Sequence, residues 1–94
     1  MPDEQHFVSS KDRLITLLAT TVRRRRKALG LRQADLADLA GCSERFIHTV
    51  EHRKMSLRLD KLLDVLEVLG LDLALIRAGS GPETVSASDK EREE

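Results

Sequence analysis

Two short segments of helical periodicity on either side of a single glycine constrain this chain more than any other feature. Residues 30–53 read Gly-Leu-Arg-Gln-Ala-Asp-Leu-Ala-Asp-Leu-Ala-Gly-Cys-Ser-Glu-Arg-Phe-Ile-His-Thr-Val-Glu-His-Arg. Leu36, Ala37 and Ala40 recur at i, i+1 and i+4, which predicts a helix over residues 33 to 40. Gly41 stands where the turn after it calls for a residue that tolerates positive φ. Ser43 then caps a second helix reaching residue 51 or 52, with Ile47 and Val50 facing inward. Its outward face is Glu44, Arg45, His48, Thr49 and His52.

The rest of the chain supplies a body for this pair. Ser9 and Ser10 are N-cap candidates, and Asp12 gives a capping-box-like start. Leu14, Leu17, Leu18 and Val22 follow at helical spacing, predicting a first helix over residues 11 to 29 that stops at Gly30. It ends in Arg23, Arg24, Arg25, Arg26 and Lys27, cations that suit a helix C-terminus. A fourth helix, over residues 59 to 69, carries Leu59, Leu62, Leu63, Leu66 and Leu69 as an apolar stripe and ends at Gly70. In residues 71 to 76, Leu71, Leu73 and Leu75 alternate with Asp72, Ala74 and Ile76 at period two. A lone strand in an all-α protomer predicts pairing with the same strand of a second copy; the alternative is that these residues extend or drape over the fourth helix. The expected organisation is a flexible arm at 1–10, one domain at 11–78, and a disordered acidic tail at 79–94, where Gly, Ser, Pro and charge dominate.

Composition agrees with an all-α body. The chain has 94 residues and 2% aromatics, so one small core must be built from Leu, Val, Ile and Ala. The formal net charge of zero conceals an uneven distribution: residues 13–78 carry 13 Lys+Arg against 8 Asp+Glu, residues 1–12 carry 1 against 3, and residues 79–94 carry 2 against 5. The body is basic and both ends are acidic. Cys42, the single cysteine, has no internal disulfide partner and reads as a small buried hydrophobe. No apolar run approaches the roughly 20 residues of a membrane span, and Asp3, Glu4, Gln5 and His6 occupy positions where a signal peptide needs a basic and then an apolar stretch. A cytoplasmic protein is expected. His6, His48, His52 and Cys42 lack the paired spacing of a metal site, and no nucleophile, paired-carboxylate or phosphate-loop pattern is present. Neither catalysis nor a cofactor is expected.

A hinged helix pair beside a basic helix end is the layout of a DNA-reading helix-turn-helix, in which the second helix enters the major groove. Arg45 can pair with guanine O6 and N7, Glu44 can accept from cytosine N4, and His48, Thr49 and His52 continue the same face. Phe46 fits either a thymine methyl or the core. Gln33, with the free N–H groups at its helix start, suits a phosphate, and Arg32, Lys54 and the other surface arginines supply the salt-sensitive remainder. A dimer making about 6 to 10 phosphate contacts would show a log affinity against log salt slope of about −5 to −9. Its operator would be an inverted repeat with half-sites roughly 34 Å apart or a multiple of that. Glu51, on the inner side of its helix, is expected to form a partly buried ion pair with Arg26 or Arg23.

The framework of Val22 through Gln33, then Leu36-Ala37, Gly41, Ser43, Ile47, Val50-Glu51 and the Leu62–Gly70 helix, resembles the XRE/Cro/lambda-repressor family over about residues 12 to 70. That resemblance implies a bundle of four to five helices, with Gln33, Ser43, Glu44, Arg45 and His48 at DNA-contacting positions and Arg26 with Glu51 as an internal ion pair. Arg45-Phe46-Ile47, Lys61-Leu62-Leu63, Val65-Leu66 and Leu69-Gly70-Leu71-Asp72-Leu73 look more closely like the HipB-like antitoxins of type II toxin–antitoxin operons. This closer resemblance implies a C-terminal strand paired across a homodimer through Leu71, Leu73 and Leu75, an autoregulated promoter, and a HipA-like Ser/Thr kinase toxin as partner. Where that family usually has Gly after the Glu-x pair, this chain has Arg53. The competing readings are a stand-alone regulator without a toxin and a protein-interaction module that does not bind DNA.

Overall fold

A computed structural model describes residues 10–53, 56–77 and 84–85 of the chain. Four helices follow one another, α1 (Ser10–Ala28), α2 (Gln33–Ala40), α3 (Glu44–Glu51) and α4 (Leu59–Val68), and then two short strands, β1 (Leu75–Ile76) and β2 (Thr84–Val85).

Local chemistry sets the helix limits. No hydroxyl caps α2; instead the Asp35 carboxylate accepts the Arg32 backbone N–H at 2.9 Å and its guanidinium at 3.0 and 3.1 Å. The carboxylate thereby answers an orphan donor and places negative charge at the positive end of the helix dipole. Those Arg32 hydrogen bonds hold the Asp35 carboxyl down to about 2. At its other end α2 runs into Gly41 at φ 72°, where the chain reverses and the Cys42 N–H returns to the Ala37 carbonyl at 3.0 Å. The Ser43 hydroxyl accepts the Phe46 N–H at 3.0 Å and opens α3.

The core lies where α2 meets α3 and α4, with α1 closing over α3. Val22, Leu36, Ile47, Val50, Val65 and Leu69 are fully buried there, beside Ala37, Ala40, Leu62 and Leu66. Each large aliphatic side chain so buried contributes about 1.5–3 kcal/mol. Because α3 is anchored by Ile47 and Val50, its rotation about its own axis is fixed, and so is the direction its polar residues face.

Three expectations are corrected. The leucine stripe of α1 is not all core: Leu14 and Leu17 are 64% and 62% exposed, and the buried positions are Ala19, Val22 and Arg26. The cause is length. At 1.5 Å per residue the 19-residue α1 far outruns the eight-residue α2 and α3, so its buried positions run only from its midpoint to its C-terminal end. In α4 the buried face is Leu62, Val65, Leu66 and Leu69, at i, i+3, i+4 and i+7, while Leu59 and Leu63 lie on the flank and stay exposed. Finally, the strand does not span residues 71–76 and does not lack a partner within its own chain. It is confined to β1, which pairs antiparallel with β2 in the register Leu75↔Val85 and Ile76↔Thr84. Leu71 is instead half-buried against the core, with its N–H bonded to the Leu66 carbonyl at 2.8 Å, and Leu73 precedes the strand. The acidic tail therefore contributes one paired element, Thr84–Val85, within residues read as unstructured. The remainder of that tail and the arm at 1–9 lie outside the described residues.

Candidate nucleic-acid interface

Four consecutive arginines on a helix point in four directions, because successive side chains are turned by about 100°. Arg26 points inward. Its Nε donates to Glu51 Oε2 at 2.7 Å, its Nη2 to Glu51 Oε1 at 3.0 Å, and its Nη1 to the Leu31 carbonyl at 2.8 Å. Both side chains are nearly closed to solvent, at 10% and 2% exposure. Burial by itself would push the Glu51 carboxyl up, but the hydrogen bonds from Arg26 and Gln33 and the positive charges of Arg26 and Arg23 outweigh it and hold the group below the usual carboxylate range. The hydrogen bonds to Glu51 raise the Arg26 guanidinium against the opposing effect of burial. Arg25 turns the other way, its Nε donating at 2.8 Å to the Leu69 carbonyl that closes α4.

Gln33 joins the buried network, its Nε2 donating to Glu51 Oε1 at 3.1 Å. Its amide nitrogen, read from sequence as free for a phosphate, is thus committed to tying the start of α2 to the end of α3. The backbone N–H groups of that first turn remain as the donors there. Arg32, also assigned to DNA, is folded back on Asp35 at the surface, an exposed pair of the kind worth little and readily exchanged for another anion.

Along α3, Ser43, Glu44, Arg45 and His48 are exposed and Thr49 is half-buried, on the flank opposite Ile47 and Val50. Phe46, left open between core and base contact, is half-buried and packs against the core. His52 ends the helix: its Nδ1 lies 2.7 Å from the His48 carbonyl and its ring stacks on His48 with centroids 3.7 Å apart. Lys54, the remaining residue read as DNA-binding, lies outside the described residues.

Two further surfaces flank α1. Arg23, Arg24 and Lys27 of α1 face His52 and Arg53 across an open cleft of about 520 Å³. Arg53 has φ 60°, the only non-glycine among the described residues in the left-handed region, a conformation costing an L-residue about 1–2 kcal/mol. The helical phase of Arg23, Arg24 and Lys27 was available from sequence, but the position of Arg53 opposite them was not. On the other side of α1, Leu14, Leu17 and Leu18 line an apolar groove of about 620 Å³ together with Leu71, Leu73 and Leu75. No group of three or more potential metal ligands occurs among the described residues, and no described helix is long and apolar enough to cross a membrane.

A short helix carrying its polar flank outward, held by a glycine-hinged turn against a second short helix and braced by two more, defines a helix-turn-helix domain. The chain belongs to the helix-turn-helix domain family, whose match spans residues 17–79. It is also similar to the uncharacterized HTH-type transcriptional regulator y4mF of Sinorhizobium fredii, with 37% identity over 62 residues, covering 66% of this chain and 82% of that protein.

Proposed function

We propose that this chain is a sequence-specific DNA-binding transcriptional repressor acting as a homodimer, with α3 in the major groove. The observation that carries the reading is the fixed orientation of α3: Ile47 and Val50 are buried, so Glu44, Arg45 and His48 face solvent together in a helix-turn-helix family member. Arg45 reads guanine and Glu44 cytosine, while the α2 N-terminus and Arg32 meet phosphates. Ser43, Thr49, His52 and Lys54 extend that contact. The similarity to a protein named as an HTH-type transcriptional regulator supports the same role.

Two finer features belong to this reading. The apolar groove of Leu14, Leu17, Leu71, Leu73 and Leu75 supports a homodimer, since exposed apolar surface of this extent on a small domain marks an interaction face. In β1, one edge is taken by β2 and no other described strand pairs with it, which leaves the second edge for the partner's β1. The residues that resemble HipB-like antitoxins support an autoregulating antitoxin that holds a HipA-like kinase inactive.

The test is footprinting and fluorescence anisotropy on the DNA upstream of the chain's own gene, with and without the neighbouring gene's product. Protection of an inverted repeat, loss of sequence preference in Arg45→Ala, and tighter protection with a kinase-like neighbour are the expected results. Binding that ignores both Arg45→Ala and salt would overturn the DNA reading. Protection unaffected by the neighbour would leave a stand-alone regulator in place of an antitoxin.

A further inference from the structure

The cleft between α1 and the end of α3 is built unlike the rest of the surface. Arg23, Arg24 and Lys27 recur at i, i+1 and i+4 on one flank of α1, and His52 and Arg53 approach from the other side, with Thr20 also lining the cleft. The carboxylate in this wall, Glu51, is already neutralised by Arg26. Asp12 lines the adjoining recess with His52 and Arg53. Four permanently cationic side chains thus converge on one open cleft where like charges repel one another, and one of them stands in a backbone conformation that glycine would adopt without strain. The basic last turn of α1 suits its dipole and the positive φ of Arg53 ends α3, but neither needs four cations gathered on one open cleft, and an anion received there would relieve their repulsion.

We infer that this cleft is a phosphate-binding site, distinct from the α3 face, in which Arg23, Arg24, Lys27 and Arg53 surround phosphoryl oxygens. Guanidinium groups match two such oxygens at once, and the opening admits a group carried on a larger molecule. The shared chemistry is the phosphate; its source is either the DNA backbone flanking the α3 contact, which rests on the DNA-binding reading, or a free nucleoside phosphate, which does not.

The decisive variant is Arg53→Gly, because it removes the cation while relieving the positive φ. Its melting temperature is expected to equal or exceed that of the parent, so a loss of binding is not a loss of fold. Arg24→Gln, which leaves the Glu51 network untouched, serves as the second variant. Binding is read by anisotropy against duplexes with and without flanking base pairs, and by calorimetry with pyrophosphate and ATP in the absence of DNA. If the phosphate is the backbone's, both variants lose about three- to tenfold in affinity for the long duplex only, equally for specific and non-specific sequence, with a salt slope shallower by about 1 per protomer. If it is a free nucleotide's, both lose pyrophosphate and ATP binding and keep parental DNA affinity. Parental behaviour of both variants in every arm overturns the inference. Should the parent bind no duplex, the DNA reading fails, and the calorimetry alone decides the cleft.

Discussion

Glu51 shows how a single buried carboxylate can join three helices. Its carboxylate takes three hydrogen bonds, two from Arg26 and one from Gln33, and fastens the ends of α1, α2 and α3 at a single point. Removing it leaves the Arg26 guanidinium buried without a counter-charge, so Glu51→Gln should cost about 3–5 kcal/mol in chemical denaturation. The pair Arg26→Met with Glu51→Leu should recover much of that, since two apolar residues have no such desolvation cost. The pH dependence has a definite sign. Because the folded carboxyl sits below its unfolded value, its contribution is present above the unfolded pKa of about 4.3 and is lost as pH falls through the folded one. The double variant should therefore show a flatter stability profile than the parent below about pH 4. Helical position placed Glu51 inward with Arg26 or Arg23 as its partner, and the family resemblance pointed to Arg26. The tertiary approach of α1 brings the Arg26 guanidinium to it at 2.7 Å.

At the scale of elements, α2 and α3 were legible to within a residue, because Leu36, Ala37 and Ala40, then Gly41 and Ser43, then Ile47 and Val50 each carry a local signal that agrees with the next. Ser43 also permits a separation of stability from binding. Ser43→Ala should lose about 1 kcal/mol in thermal or urea unfolding. Ser43→Asp keeps a good cap and should keep that stability, yet it sets a negative charge at the reading end of α3 and should weaken DNA binding severalfold in anisotropy. The arginine run and the α4 stripe were less legible. A list of cations or leucines does not say which helical direction points at a neighbour, and the burial of Val65 in place of Leu63 was decided by where α2 lies.

For the molecule as a whole, the exposed leucines matter most. Leu17 and Leu73 are 62% and 48% exposed in the single chain, so their replacement costs the protomer little. Leu17→Glu with Leu73→Glu should leave the helical signal and monomer fold intact while shifting sedimentation from dimer to monomer. On an inverted repeat the same variant should show about half the salt slope of the parent, because one protomer engages fewer phosphates.

Sequence by itself determined that the chain is a bundle of helices around a glycine-hinged pair, because helical periodicity, caps and turn residues act over a few positions and need no distant partner. Tertiary structure alone decided that two of the three α1 leucines face outward, that Gln33 serves Glu51, that residues 84–85 return to pair with β1, and that Arg53 faces Arg23 across a cleft. Each of these depends on the relative placement of elements far apart in the chain, and placement follows from how unequal helix lengths pack, a quantity that no local pattern encodes.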